Sequence, residues 1–166
     1  MRESIITYLS VTTIFLLIDI IWLSQSFSYI YQPNIGELLR ENIIIFPAIL
    51  FYIIYPLGAT ILVALPSLEK VLSKTIFING FVLGVIAYGT YNLTNMATLE
   101  GWSAKVVIID MIWGGFLTGV SVLLGTILSK KVLKLIEDKQ VEFVDLRFTD
   151  PKGKLQHLTM DSTVVD

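Results

Sequence analysis

The chain has 166 residues, of which 54% are hydrophobic and only 16% charged. A soluble domain runs at about 25% charged, so a soluble enzyme is excluded, and so is disorder, which needs low hydrophobicity and high net charge. The net charge of −2 points to no nucleic-acid partner, the lack of cysteine removes thiol and thiolate chemistry, and the single histidine removes a histidine-rich metal centre.

The charge is unevenly spread. Residues 1–128 carry seven acidic and five basic side chains, whereas residues 129–166 carry seven of each. An oily part and a charged tail are therefore treated separately. Spanning ~30 Å of hydrocarbon takes roughly 20 apolar residues in a helix. Four stretches qualify, at about 4–24, 43–65, 75–95 and 105–128. Helices are required because bilayer oil offers no partner to an open backbone group, and the alternating segments of a membrane β-barrel are absent.

The first stretch, SIITYLSVTTIFLLIDIIWLS, is too long for the apolar core of a signal peptide, and no small-residue cleavage site follows it. It reads as an uncleaved helix that carries Asp19 near its outer end. The second carries Tyr52 and Tyr55, with Pro56 as a potential kink. The third spaces Tyr88, Tyr91, Asn92 and Asn95 at i, i+3, i+4 and i+7, which is one helical face. The fourth carries Asp110, Trp113 and a run of small residues, Gly114, Gly115, Thr118, Gly119, Ser121 and Gly125. With Gly80 and Gly84 on the third helix, these predict close helix packing, either within a bundle or between copies. At 1.5 Å per residue, Asp19 and Asp110 both lie roughly 7–8 Å below the same interface.

Orientation follows from the short connections. Arg2, Lys70, Lys74, Lys130, Lys131 and Lys134 fall on one side, and only Arg40 and the bordering Lys105 on the other. Positive residues stay inside, so both termini are expected in the cytoplasm and the chain in the inner (cytoplasmic) membrane. Trp22, Tyr29, Tyr31 and Trp102 then fall at the outer interface.

Polar groups inside spans are costly and so attract functional hypotheses. The candidate ligand-binding residues are Asp19, Tyr88, Tyr91, Asn92, Asn95, Asp110 and Trp113. Three readings stand open. The cluster holds the bundle together by interhelical hydrogen bonds; or it lines a pocket in which carboxylates take up a cation or proton; or it is catalytic. No nucleophile with its base, H-E-x-x-H or Gly-rich phosphate loop occurs. No catalytic residue, metal or cofactor is therefore assigned, and the chain is not read as an enzyme.

The segments FLLIDIIWL, LFYIIYPLGATILVALPSL and YGTYNLTNMATLEGWSAKVVIIDMIWGG resemble the bacterial membrane family called domain of unknown function 2177, over about residues 4–128. The specific part is Y-x-L-T-N-x-A-T-x-x-G-W followed by D-x-x-W-G. That family usually has Asp where this chain has Asn92, which removes one intramembrane charge and weakens a three-carboxylate metal site. The family has no established activity, so the resemblance implies a four-helix integral membrane protein and little more.

After Leu128, SKKVLKLIEDKQ reads as a helix extension with ordinary flanking charge, the alternative being that Lys130, Lys131 and Lys134 meet the anionic inner leaflet. In VEFVDLRF, Val144, Leu146 and Phe148 alternate with Asp145 and Arg147, the period of a strand. Asp150-Pro151-Lys152-Gly153 signals a turn, and LQHLTMD a second strand. The wording EFVDLRFTDPKGKLQH resembles the start of bacterial type I glutamine synthetase, in its N-terminal β-grasp domain, over about residues 129–166. The parts that family uses for catalysis have no counterpart here, and His157 matches none of its metal ligands. The tail is expected to be a non-catalytic fragment, from a real fusion or a broken reading frame.

The expected fold class is all-α membrane: a four-transmembrane-helix antiparallel bundle (1–128) with a short cytoplasmic β-hairpin tail (129–166). The expected partners are the lipid bilayer, a small-molecule or ion ligand of unknown identity, and further copies of the chain, because four spans are few for a solute channel. The alternative function is a structural or interaction protein of the membrane with no ligand.

Overall fold

In the computed structural model the four apolar runs form four long helices. The structure describes residues 2–69, 71–139, 143–149 and 154–161, with side chains beyond Lys139 described only at Lys154 and Leu155. The first helix runs Arg2–Ser26. Its path continues through a π-helical turn at Phe27–Tyr31, one α-turn at Gln32–Ile35 and a 3-10 turn at Gly36–Leu38. Pro33 stands in the first turn of the α segment, directly after the π-helical turn. The second helix, Ile45–Ala59, passes Pro56 without ending and goes on as a π-helical turn at Thr60–Ala64 and a 3-10 turn at Leu65–Ser67.

The third helix is Ser73–Thr98 and the fourth Ala104–Asp138. Gly101 in the turn between them has φ +82°, a left-handed angle that costs any side-chain-bearing L residue. A Cβ there would meet nothing within 4 Å, so the angle, not the space, selects glycine. The fourth helix spans 35 residues. At 1.5 Å each that is ~50 Å, well beyond the ~30 Å of hydrocarbon, so the expected short helix after Leu128 is the end of this one.

The fourth helix is the centre of the bundle. Some 56% of its most apolar window is buried, against 28% in each of the others. It lies against the third along a seam of small residues. A Cβ added to Gly84 would run into the Gly114 carbonyl and come within 2.8 Å of Gly115 Cα. One at Gly80 would collide with Val122 and reach 3.0 Å from Gly119 Cα, and one at Gly114 would enter the Tyr88 ring. Gly125 in turn meets the first helix, with its Cβ site 2.8 Å from Val11 Cα. These glycines therefore pack within the bundle.

The pairings run antiparallel. Thr7 early in the first helix bonds Ser129 late in the fourth at 2.7 Å, and Asp19 bonds Trp113. Asn92 late in the third bonds Asp110 early in the fourth. Val11, Ala59, Val63, Ala64, Ile76 and Val122 form a buried apolar cluster toward the end that holds the N-terminus. At that same end the Lys130 ammonium donates to the Glu69 carbonyl at 3.0 Å. On the outside, Leu17, Ile20, Ile21, Ile108 and Ile112 are each more than half exposed. Helices that are apolar inside and out suit a lipid surrounding.

One expectation is corrected. The fold class is all-helical, not a bundle with a β-hairpin tail. The interpretable body, residues 2–139, has four helices long enough to span a membrane and no strand among its described residues. Backbone beyond it is extended over Phe143–Thr149 and Leu155–Asp161, but Val144, Leu146, Phe148, Leu158 and Met160, which were to form the hairpin's apolar face, lie outside the residues whose side chains are described. The physical reason lies in size. A two-stranded ribbon is marginal in water and needs a third strand or a helix over its apolar face, so the period-2 pattern that suggested it does not define a fold.

Candidate functional site

The half of the bundle away from the apolar cluster holds a cavity of about 570 Å³ between the helices. Asp19 on the first helix is 5% exposed, and Asp110 on the fourth is 7% exposed; both line it. Two carboxylates are thus buried against one space.

Each carboxylate is held by two neutral donors. Tyr52 on the second helix donates its hydroxyl to Asp19 Oδ2 at 2.7 Å, and Trp113 donates Nε1 to Asp19 Oδ1 at 3.2 Å. Tyr31 donates to Asp110 Oδ1 at 2.6 Å, and Asn92 donates Nδ2 to Asp110 Oδ2 at 3.2 Å. Aromatic groups join the two clusters. The Trp113 ring stacks on Trp22 with centroids 4.1 Å apart, and Trp22 Nε1 donates to the Tyr31 hydroxyl at 3.2 Å. All four helices contribute. Deeper in, the Tyr55 hydroxyl and Thr118 Oγ1 lie 2.7 Å apart, and the Tyr55 ring sets edge-on to Tyr88 at 6.1 Å.

The local sequence explains several of these placements. The π-helical turn at Phe27–Tyr31 widens the first helix just past its apolar run, and Phe27 and Tyr31 at its two ends both line the cavity. Such single turns occur often at functional sites because the extra residue re-aims the side chains beyond it. Gly114 is side-chain-free where the Tyr88 ring crosses the fourth helix.

Of the residues predicted from sequence, Asp19, Tyr88, Tyr91, Asp110 and Trp113 line the one cavity. Asn92 is fully buried and stands against Asp110. Asn95 is not among the lining residues; its backbone carbonyl takes the Leu99 N–H at 2.8 Å. Tyr91 is a rim residue, 57% exposed, with its ring edge-on to Trp102.

Tyr31 and Tyr52 were not among the candidates, although they supply the shortest bonds to the two carboxylates. The apolar run ends near Ser24, which by itself sets Tyr31 at the outer interface. Phe27, Tyr31 and Ile35 continue a helical spacing beyond that point, and Ile35 is buried. That periodicity was the available signal. Trp22 and Trp102 likewise turn toward the site, while Tyr29 remains 80% exposed.

Residues 4–127, which contain every residue of the cavity wall, match the family described as predicted membrane protein (DUF2177). The chain belongs to that family. The DUF2177 match ends where the charged tail begins, and a separate similarity covers a short segment only. It is 66% identical over 38 residues to a glutamine synthetase of Rhizobium meliloti (strain 1021), covering 23% of this chain and 8% of the synthetase. It is 62% identical over 34 residues to that of Cereibacter sphaeroides, covering 20% and 7% respectively. It is 51% identical over 37 residues to that of Vibrio cholerae serotype O1, covering 22% and 8%. The DUF2177 chain thus spans less than a tenth of the length of the curated relatives it matches. No solved structure matches it.

Proposed function

We propose that this DUF2177 protein binds a small solute in the cavity between its four helices, entering from the extracytoplasmic side, and performs no covalent chemistry on it. The observation that carries this reading is the pair of buried carboxylates facing one cavity of about 570 Å³. That volume falls in the usual range of small-molecule sites, about 300–1,000 Å³. In this reading the protein sits in the inner membrane with both termini in the cytoplasm, as the placement of its lysines and arginines favours. Transport, as opposed to binding, calls for association of copies, since four helices are few for a solute path. The glutamine-synthetase-like segment is read as a non-catalytic fragment, because it covers so little of those enzymes.

The test uses purified protein in nanodiscs and tryptophan fluorescence, which reports on the stacked Trp22 and Trp113 pair. A panel of small aromatic solutes is titrated into the native protein and into Ala87→Phe, which puts a ring into the cavity wall. Saturable quenching in the native protein, lost in Ala87→Phe with the thermal midpoint retained, is the expected result. No saturable response to any member of the panel overturns the proposal.

A second reading, structural glue without a ligand, has its own support: every carboxylate oxygen of Asp19 and Asp110 already accepts a bond from another residue. It predicts that Asp19→Asn and Asp110→Asn lower the thermal midpoint in a protein that binds nothing.

A further inference from the structure

The cavity's polar chemistry has one sign. Its charged lining residues are Asp19 and Asp110, and among the described residues no lysine, arginine or histidine lines it. The groups bonded to the two carboxylates are hydroxyl, indole and amide donors, all neutral. A buried negative charge without a cation beside it is expensive, and neutral donors offset only part of that cost. The site is therefore complementary to a positive charge.

The hydrogen bonds behind the cavity wall fix Asp110 in place, and the lone pairs left on the carboxylates specify the kind of cation. Asn92 is fully buried, and its Nδ2 donates both to the Tyr88 carbonyl at 3.1 Å and to Asp110 Oδ2 at 3.2 Å. Both partners are acceptors, so the amide is fixed in this orientation: turning it over would set oxygen against oxygen. Its Oδ1 is then left buried with no partner. The two carboxylates that line the cavity, each oxygen with a lone pair to spare, call for N–H groups on a cation.

The rest of the wall is aromatic and aliphatic, with Phe51, Tyr55 and Tyr88 beside the Trp113 ring. Ring faces attract cations and cover apolar bodies equally well. Hard metal ions take six or more oxygen ligands, and among the described residues no group of three or more His, Cys, Asp or Glu side chains is placed to hold one.

Resting on the binding role proposed above, we infer that the ligand is an organic ammonium ion that bears N–H groups and has a compact apolar body, its charged end between Asp19 and Asp110. The experiment is calorimetric titration of protein in nanodiscs, with empty nanodiscs subtracted, using four probes of nearly one shape. These are 2-phenylethylammonium, its N-trimethyl analogue, neutral 2-phenylethanol and anionic 3-phenylpropanoate. The expected order has the primary ammonium at least tenfold tighter than the alcohol, the trimethyl analogue weaker than the primary ammonium, and the carboxylate undetectable. Asp110→Asn is expected to cut the ammonium-to-alcohol preference about tenfold. The order within the native protein carries the test if that variant does not fold. Equal binding of alcohol and ammonium, abolished by Ala87→Phe, overturns the ammonium inference and leaves cavity binding standing. Equal binding of the trimethyl analogue overturns the N–H requirement. Absence of binding by all four overturns both the inference and the binding role.

Discussion

Tyr31 shows how much a single hydroxyl carries in this bundle. It donates to Asp110 at 2.6 Å and accepts from Trp22 at 3.2 Å, so it sits between a buried carboxylate and the stacked indole pair. Hydrogen bonds to charged groups are worth about 1.5–3 kcal/mol in water-soluble proteins, whereas bonds between membrane helices average nearer ~0.6 kcal/mol. Tyr31→Phe removes a donor from a 7%-exposed carboxylate and an acceptor from Trp22. We expect it to cost about 1–2 kcal/mol, between those bounds. Reversible unfolding in mixed micelles measures this, and a cost indistinguishable from zero means that the Tyr31–Asp110 bond is not formed in the membrane. Tyr29→Phe is the matching control, because Tyr29 is 80% exposed. The sequence offered Asp19 and Asp110 plainly, since an acidic residue in an apolar run stands out by its cost. It did not single out Tyr31, since tyrosine near a span end is ordinary at a lipid interface, and although Tyr52 was visible within the second span, which side chain it faces depends on the rotation of that helix.

Helix against helix, the seam between the third and fourth helices decides the architecture. Gly84 and Gly114 touch backbone to backbone, which no side chain permits. Without a hydrophobic driving force between helices in lipid, close approach and dispersion hold such a pair. Gly84→Val is therefore expected to destabilise the bundle by more than 2 kcal/mol, in line with the ~1–3 kcal/mol typical of overpacked cores and at its upper end because the clash is with backbone. Gly58→Ala tests the opposite case. A Cβ there meets nothing within 4 Å, so gaining a better helix former should be neutral or stabilising by roughly 0.5–1 kcal/mol. Thermal midpoints of the two variants in the same detergent make the comparison, and equal losses would show that the seam is not close-packed. The small residues were visible in the sequence, but the partner of each was not. Spacing fixes which residues share a face and leaves open what that face meets.

At the scale of the whole molecule, the two ends of the bundle differ in character. One end gathers Thr7 with Ser129 and Lys130 with the Glu69 carbonyl, and the other holds the cavity. The chain has no cysteine of its own, so single cysteines report on sidedness without background. In spheroplasts, Glu100→Cys is expected to react with an impermeant maleimide from outside, and Lys74→Cys only after the membrane is opened. Labelling of Lys74→Cys from outside reverses the orientation and puts the cavity on the cytoplasmic side. The tail's alternating pattern marks extended backbone at Phe143–Thr149 and Leu155–Asp161 but does not set the fold class, which the helical body sets. A two-residue period describes a local preference, while a stable sheet depends on what covers its apolar face, and two short segments do not supply that cover.

The sequence by itself determined that this is a membrane protein of four helices, because length and apolarity set against the thickness of a bilayer admit few alternatives. It also marked Asp19 and Asp110 as acidic residues set within apolar helical runs, since a charge in such a run stands out by its cost. Only the tertiary structure decided that Tyr31 and Tyr52 complete their shells, that the glycines pack inside the bundle, and that the carboxylates share a cavity while Asn95 stays outside its wall. Those facts depend on the rotation of each helix about its axis, on a π-helical turn that carries the first helix past its apolar run, and on contacts between residues as distant as Asp19 and Trp113. No local pattern records them.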